Sequence, residues 1–312
     1  MTVRLIVLAI VLVFVACVLL VHLRGRVRLR FDRQLVDHSA LFAPYNLLMY
    51  LFSKLPARPI LERKGFPQLD SLRDNWQVIR DEALQLTDGG HIHAASKHHD
   101  ASFNSFLKQG WKRFYLKWYG EPLDSAASLC PQTVALLNDI PGIKAAMFAT
   151  LAPNSKLNPH RDPFAGSLRY HLGLITPNSP DCHIFIDGEE HVWGDGKDVV
   201  FDETYVHWVE NKTDQTRIIL FADVERPLKT GVMRAINHRV GAFMGKITAS
   251  PNSDSGKEQT GLVNRLFALN QRGRDRSRAF KRRSPKLFRT VKYSAIVVAL
   301  WVIFLAPWPL LH

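Results

Sequence analysis

In "NPHRDPFAGSLRYHLGL", Asn158 to Leu174, His160 and Asp162 stand two apart, and Arg169 and His171 repeat the spacing. Successive side chains of extended backbone point to opposite faces, so His160 and Asp162 share a face while Arg161 turns away. An imidazole and a carboxylate so placed can grip one metal ion, and His207 in "FDETYVHWVENKTDQTR" is the candidate for the third ligand. Two histidines and one carboxylate with open positions form the facial triad of non-haem Fe(II) oxygenases. If the strands through His207 and Arg217 form a hairpin with its loop near Lys212, the two residues lie opposite one another on one face. A metal ligand and a guanidinium then point into one cavity, and arginine binds carboxylates with a two-pronged donor set that lysine cannot copy. An open iron site beside a buried arginine implies a carboxylate-bearing co-substrate, for which 2-oxoglutarate is the natural candidate, with O2 as oxidant. Arg169 and His171, together on one strand face, supply donors for the carboxylate nearer the metal. No catalytic residue beyond these metal and co-substrate ligands is expected.

The elements that must position these residues are strands. From about Trp111 to Val224 short β-rich runs alternate with turn residues, which indicates an antiparallel sandwich or barrel. "HIFIDGEEHVW" reads as a hairpin about Asp187-Gly188, a pair suited to a type I′ turn. "DVVFDETYVHWVENKTDQTRIILFADV" supplies three more strands, broken near Asp202-Glu203 and between Asn211 and Gln215. In "WKRFYLKWYG", Phe114, Leu116 and Trp118 read as core, with Arg113 and Lys117 on the other face and able to meet lipid phosphates. Before the strands, Leu72, Trp76, Ile79, Ala83 and Leu86 recur at helical spacing, with Asp70 as N-cap and Gly89-Gly90 as the stop. The apolar run Leu47 to Phe52 between Pro44 and Pro56 is a buried or interfacial helix. After Pro227, "VMRAINHRVGAFMGKI" reads as a helix, and "TASPNSDSGKEQTG" has linker composition. Cys17, Cys130 and Cys182 lie far apart without CxxC spacing, so neither a disulfide framework nor a structural zinc site is indicated.

The stretches "HRDPFAGSLRYHLGL" and "FDETYVHWVENKTDQTRIILFADVERP" resemble the aspartyl/asparaginyl β-hydroxylase family. "RGRVRLRFDRQLVDHSALFAPYNLLMYLFSKLPARP" and "FNSFLKQGWKRFYLKWYG" are similar to membrane-bound lipid A 2-hydroxylases of Gram-negative bacteria. The resemblance runs from the first apolar segment to about Pro227. It implies a mainly β fold with flanking helices: a double-stranded β-helix, or jelly-roll, using Fe(II) and 2-oxoglutarate. It also implies His160 and His207 as iron ligands, Arg217 on the distal carboxylate of 2-oxoglutarate, and Arg169 and His171 on the nearer one. This chain departs from the pattern twice. Peptide-modifying members can lack the carboxylate ligand that Asp162 offers here, and Ala149 stands where they carry a serine, so that hydroxyl contact is lost or passes to Thr150. The implied reaction is hydroxylation of carbon 2 of a secondary acyl chain of lipid A; another lipid such as an ornithine lipid, or Asp/Asn side chains in a peptide, are the alternatives. An inactive membrane scaffold with the same fold is the alternative from outside the enzymes.

The net charge of +13 raises nucleic acid as a partner, but the placement of the basic residues points to a membrane. Leu5 to Val21 is an uninterrupted apolar run followed by Arg24, Arg26, Arg28, Arg30 and Arg33. "QRGRDRSRAFKRRSPKLFRTVKY" leads into a second apolar run, "SAIVVALWVIFLAPWPLL". Both basic flanks face the middle of the chain, which places it on the cytoplasmic side of a bacterial inner membrane, with anionic lipid as its partner and both termini periplasmic. The expected division is 1–23 anchor, 24–110 basic and helical segment, 111–227 dioxygenase core, 228–292 helical and basic tail, and 293–312 second transmembrane segment. "HIHAASKHHD", with His91, His93, His98, His99 and Asp100, lies in a Gly-led stretch and reads as a solvated loop rather than a second metal cluster. His183 and His191 read as surface strand residues.

Overall fold

Alternation along the strands decides which side chains reach the site. The computed structural model describes residues 2–35, 37–95, 100–120, 122–253, 258–288, 290–291 and 293–294. Its strands are β1 (Ile60–Leu61), β2 (Trp111–Trp118), β3 (Ile143–Leu151), β4 (Ser155–His160), β5 (Ser167–Ile175), β6 (Cys182–Ile186), β7 (Glu189–Val192), β8 (Asp198–Phe201), β9 (His207–Asn211) and β10 (Arg217–Glu225). Its helices are α1 (Thr2–Leu23), α2 (Ala43–Leu51), α3 (Asp70–Asp74), α4 (Trp76–Asp88), α5 (His91–Ala95), α6 (Asn104–Leu107), α7 (Asp124–Leu129), α8 (Pro131–Asp139), α9 (Gly231–Thr248) and α10 (Leu262–Arg283).

The strands form two antiparallel sheets, ordered β1-β8-β5-β10-β3-β2 and β4-β9-β6-β7. From β3 to β10 the chain passes back and forth between them, as a double-stranded β-helix does. On β5 and β10, Leu168, Tyr170, Leu172 and Leu174 join Ile218, Leu220, Ala222 and Val224 in a core with Leu72, Ile79, Ala83 and Leu86 from α3 and α4. The alternate residues Ile219 and Phe221, with Met147 and Ala149, face inward toward Leu157, Ile184, Ile186 and Val209 of the smaller sheet. With both faces of the large sheet covered, polar side chains on its inner face are withdrawn from water, and each needs a partner or a ligand.

The turn at Asp187-Gly188 has φ of 52° and 87°, both positive, as a type I′ hairpin requires. The helix expected from Asp70 is broken at Asn75, whose Nδ2 donates to the Ser71 carbonyl at 2.8 Å. Asp70 makes no cap hydrogen bond; Gly89 is the C-cap, as expected.

Two surface readings are corrected. Arg113 is fully buried, with Nε 3.0 Å from Asp100 and Nη2 donating to Ser250 Oγ at 2.6 Å, so it cannot meet lipid phosphates. The stretch read as linker supplies that partner and also Asn252, whose side chain pairs with the backbone of Tyr115 where β2 shifts register. His183 is buried too, with Nδ1 2.9 Å from Glu190. His91 and His93 lie on α5, while His98 and His99 fall outside the described residues.

Residues 1–264 form one compact unit, and the chain from Arg265 on forms a second that contains most of the basic helix α10. Leu5–Leu23 is the one helix among the described residues long and apolar enough to cross a membrane. The second apolar segment expected near the C-terminus lies outside the described residues apart from Tyr293 and Ser294.

Candidate active site

His160 ends β4 and His207 opens β9, and the two are direct antiparallel partners with ring centroids 4.3 Å apart. Asp162 follows in the loop, fixed by its N–H donating to the Glu203 carbonyl at 3.0 Å. One ligand atom from each of His160, Asp162 and His207 lies within 4.8 Å of the others. The Nδ1 atoms of His160 and His207 lie 2.7 and 3.0 Å from the carbonyls of Asn158 and Tyr205. With Nδ1–H given to a carbonyl, Nε2 keeps the lone pair that a metal takes. Burial lowers the pKa of both rings, that of His207 to about 3, so each is neutral, the form that ligates. Burial alone would raise the Asp162 carboxyl, but the Arg169 guanidinium beside it outweighs that and holds it below the usual carboxylate range. Two neutral imidazoles and one carboxylate are the donor set that suits Fe(II).

Arg169 and His171 leave β5 on the inner face, as alternation predicts. Arg169 Nη2 donates to Asp162 Oδ2 at 2.9 Å and also to the Glu203 carboxylate, while its Nε lies 2.9 Å from Asp223 Oδ1. Its guanidinium sits 3.6 Å from the centroid of the Phe221 ring. Ser167 donates to Glu203 at 2.9 Å and Tyr119 to Asp223 at 3.1 Å. Burial pushes the Asp223 carboxyl up despite Arg169, which eases the crowding of three carboxylates on one cation. In this structure, then, Arg169 orients the metal-side carboxylate of Asp162.

His171 is buried among Trp193, Phe201 and Phe221, and neither ring nitrogen has a hydrogen-bond partner among the described residues. Arg217 is 1% exposed and has no carboxylate partner there; its guanidinium lies 4.4 Å from the centroid of Trp193. Burial lowers its pKa to about 10. The Trp193 indole N–H is buried and unpartnered as well. A cation, an imidazole and an indole N–H buried without partners suit a ligand that brings its own anion, because an uncompensated buried charge is strongly destabilising. A dicarboxylate such as 2-oxoglutarate fits.

His207 and Arg217 do not face each other across the expected hairpin: β9 pairs with β4 and β6, while β10 pairs with β3 and β5. The two residues lie on facing sheets. Thr150 alternates with Ala149 on β3 and lies away from the inner face, so it cannot replace the missing serine hydroxyl.

Residues 73–227 match the family model for aspartyl/asparaginyl β-hydroxylase. This region belongs to the aspartyl/asparaginyl β-hydroxylase family. The chain is 41% identical over 185 residues to an ornithine lipid ester-linked acyl 2-hydroxylase of Rhizobium tropici, covering 57% of this chain and 64% of that one. It is 30% identical over 194 residues to the mouse aspartyl/asparaginyl β-hydroxylase, covering 60% of this chain and 26% of the relative. A Pseudomonas putida prolyl-4-hydroxylase crystal structure aligns over 49% of this chain and 87% of its own, with a TM-score of 0.32 and 19% identity.

Three further residues of the candidate site carry no sequence signal of their own or only a partial one. Asp223 was within reach: residues 217, 219, 221 and 223 share the inner face of β10. Glu203 and Trp193 lie in connections, where no periodicity announces direction.

Proposed function

We propose that this chain is an Fe(II)- and 2-oxoglutarate-dependent dioxygenase that hydroxylates carbon 2 of an ester-linked acyl chain on a membrane lipid. The observation that carries the reading is Arg217, buried without an anion in the same interior that the His160, Asp162 and His207 cluster enters from the facing sheet. When bound, iron and 2-oxoglutarate supply O2-dependent hydroxylation of an unactivated C–H bond, with succinate and CO2 as by-products. His160, Asp162 and His207 hold the metal and leave positions open. Arg217, assisted by the Trp193 N–H, takes the distal carboxylate of 2-oxoglutarate, and His171 meets the nearer one. Arg169, braced by Glu203 and Asp223, sets its charge between Asp162 and that nearer carboxylate.

An acyl target is supported by the name of the Rhizobium tropici relative and by the apolar wall beside the metal ligands. The Phe106 ring lies 4.6 Å from that of His160, with Phe103 and Trp111 behind it. The 41% identity favours ornithine lipid as the substrate. Lipid A is the second reading, favoured by the resemblance of the N-terminal stretches to lipid A 2-hydroxylases. Helix α1 and the arginines after it favour the cytoplasmic face of the inner membrane, among anionic lipids.

Mass spectrometry of lipids from cells with and without the gene product tests this. A gain of one oxygen on the ester-linked acyl chain of ornithine lipid supports the first reading; the same gain on lipid A alone replaces it with the second. No oxidised lipid in either sinks both. Conversion of 2-oxoglutarate to succinate that needs iron and is lost in His160→Ala and His207→Ala excludes an inactive scaffold.

A further inference from the structure

Both loops that carry metal ligands are tied to the foot of α1. Arg161, between His160 and Asp162, turns away from the site and donates through Nη1 to the Val21 carbonyl at 2.9 Å. Asn46 on α2 pairs twice with the same loop: Nδ2 donates to the Pro163 carbonyl at 2.7 Å, and Oδ1 accepts from the Ala165 N–H at 2.9 Å. On its other side, Ala43 of α2 packs against Cys17, Val18 and Val21 of α1.

The loop ahead of His207 is held by the segment that follows α1. Arg24 donates to Asp202 Oδ2 at 2.7 Å and Thr204 Oγ1 at 2.6 Å, and it stacks between the rings of Tyr50 and Tyr205 at 4.0 and 3.8 Å. Asp187 accepts the backbone N–H groups of Arg26 and Val27 at 2.7 and 2.8 Å, while its own N–H donates to the Val206 carbonyl at 2.8 Å. Gly25, at φ +88°, permits this approach; a Cβ there would meet the Asp187 carboxylate at 2.7 Å.

A loose tether to a membrane anchor needs none of this. It would leave Asn46 and Arg161 in water, whereas they are 1% and 3% exposed. We propose that the juxtamembrane segment from Val21 to Asn46 is a positioning element of the metal centre, holding both ligand loops through Arg24, Asn46 and Arg161. This rests on the dioxygenase reading and deepens it: the centre is fixed at the foot of the membrane helix, where the first carbons of an ester-linked acyl chain lie. The three residues act through the backbone of 158–166 and 202–207 rather than on substrate or metal.

The test uses the full-length chain in nanodiscs, with Co2+ as the metal and visible absorption as the report of ligand geometry. Asn46→Ala and Arg24→Met each weaken Co2+ binding by roughly 10- to 100-fold, as loss of groups that orient ligands does. Each also alters the visible band, while circular dichroism and cooperative unfolding of the metal-free variants are kept. Arg24→Lys, which preserves the charge facing Asp202, recovers part of the affinity. Folded variants with wild-type affinity and spectrum overturn the proposal. So does loss of cooperative unfolding in both variants, which would make the segment a general support of the fold. If the wild type binds no Co2+, or His207→Ala binds it equally, the metal reading fails and the positioning role falls with it; normal His-dependent binding with unaffected variants removes the positioning role alone.

Discussion

A guanidinium buried without an anion destabilises the protein that holds it until a ligand supplies the charge. Arg217 is in that position, so its removal falls on co-substrate binding rather than on folding. Arg217→Met is expected to weaken 2-oxoglutarate binding by about 100-fold, the loss usual for a desolvated charge pair, with the unfolding midpoint unchanged or raised. Arg217→Lys, which keeps the charge but loses the fork, recovers only part. Calorimetric titration of 2-oxoglutarate into the metal-loaded protein measures both, and wild-type affinity in Arg217→Met would remove the residue from the site. Three histidines of the site, of which His171 and His207 are buried, set a pH dependence. His160, His171 and His207 all have pKa values below the ordinary 6.5, that of His207 down to about 3. Above about pH 6.5 folded and unfolded states are alike in leaving these rings neutral. As pH falls through that value the unfolded chain takes up protons that the folded one refuses. The metal-free protein then loses stability, by up to about 1.4 kcal/mol per pH unit for His207, whose folded pKa of about 3 lies below the whole range. Urea titrations at pH 7.5, 6 and 5 measure the slope; a stability flat across that range contradicts the lowered pKa values. The candidate ligands His160 and His207 were legible because residue type and strand position coincide there, whereas Asp162, in the loop after β4, was legible only by its spacing from His160. The bracing of Arg169 by Glu203 was not, because a loop side chain has no periodicity to fix its direction.

At the scale of elements, strand positions and faces were readable, but sheet membership was not. The breaks at Asp202-Glu203 and Asn211 to Gln215 separate β8, β9 and β10 as expected, yet β9 and β10 pair in different sheets. A short connection between two β-rich runs favours a hairpin locally; here the chain crosses between sheets because both inner faces must be buried against each other. Face assignment survives this error, since it depends only on alternation within a strand. On β3, Ala149 joins the inner core with Met147 and Leu151, while Phe148 belongs to the outer one. Restoring a hydroxyl with Ala149→Ser is expected to tighten 2-oxoglutarate binding by a few-fold, the worth of one hydrogen bond of about 1 kcal/mol. Thr150→Ala, one residue on, leaves that affinity unchanged. Equal effects at the two positions would mean that the strand faces are misassigned.

At the scale of the molecule, the basic excess and the N-terminal apolar helix both support the proposed membrane association, with α1 as the anchor. Three of the helix's side chains, Cys17, Val18 and Val21, are buried against the protein, and most of the rest face outward. Ile10 and Val13 are each 63% exposed, far more than a helix in a soluble core would allow. An arginine near the middle of a spanning helix costs about 3 kcal/mol. The double variant Ile10→Arg with Val13→Arg is therefore expected to abolish stable insertion without touching any residue that packs on the catalytic unit. Membranes washed with alkaline carbonate provide the measurement. The wild-type chain stays in the pellet, and the double variant moves to the supernatant with its His160, Asp162 and His207 cluster still able to bind Co2+. Succinate formation without added lipid persists in the released protein, while hydroxylation of vesicle-borne lipid drops, because the acyl chain is no longer presented to the site. A double variant that stays carbonate-resistant shifts the anchoring to another part of the chain. A released variant that still hydroxylates vesicle lipid at the wild-type rate shows that the helix is not needed to bring site and substrate together.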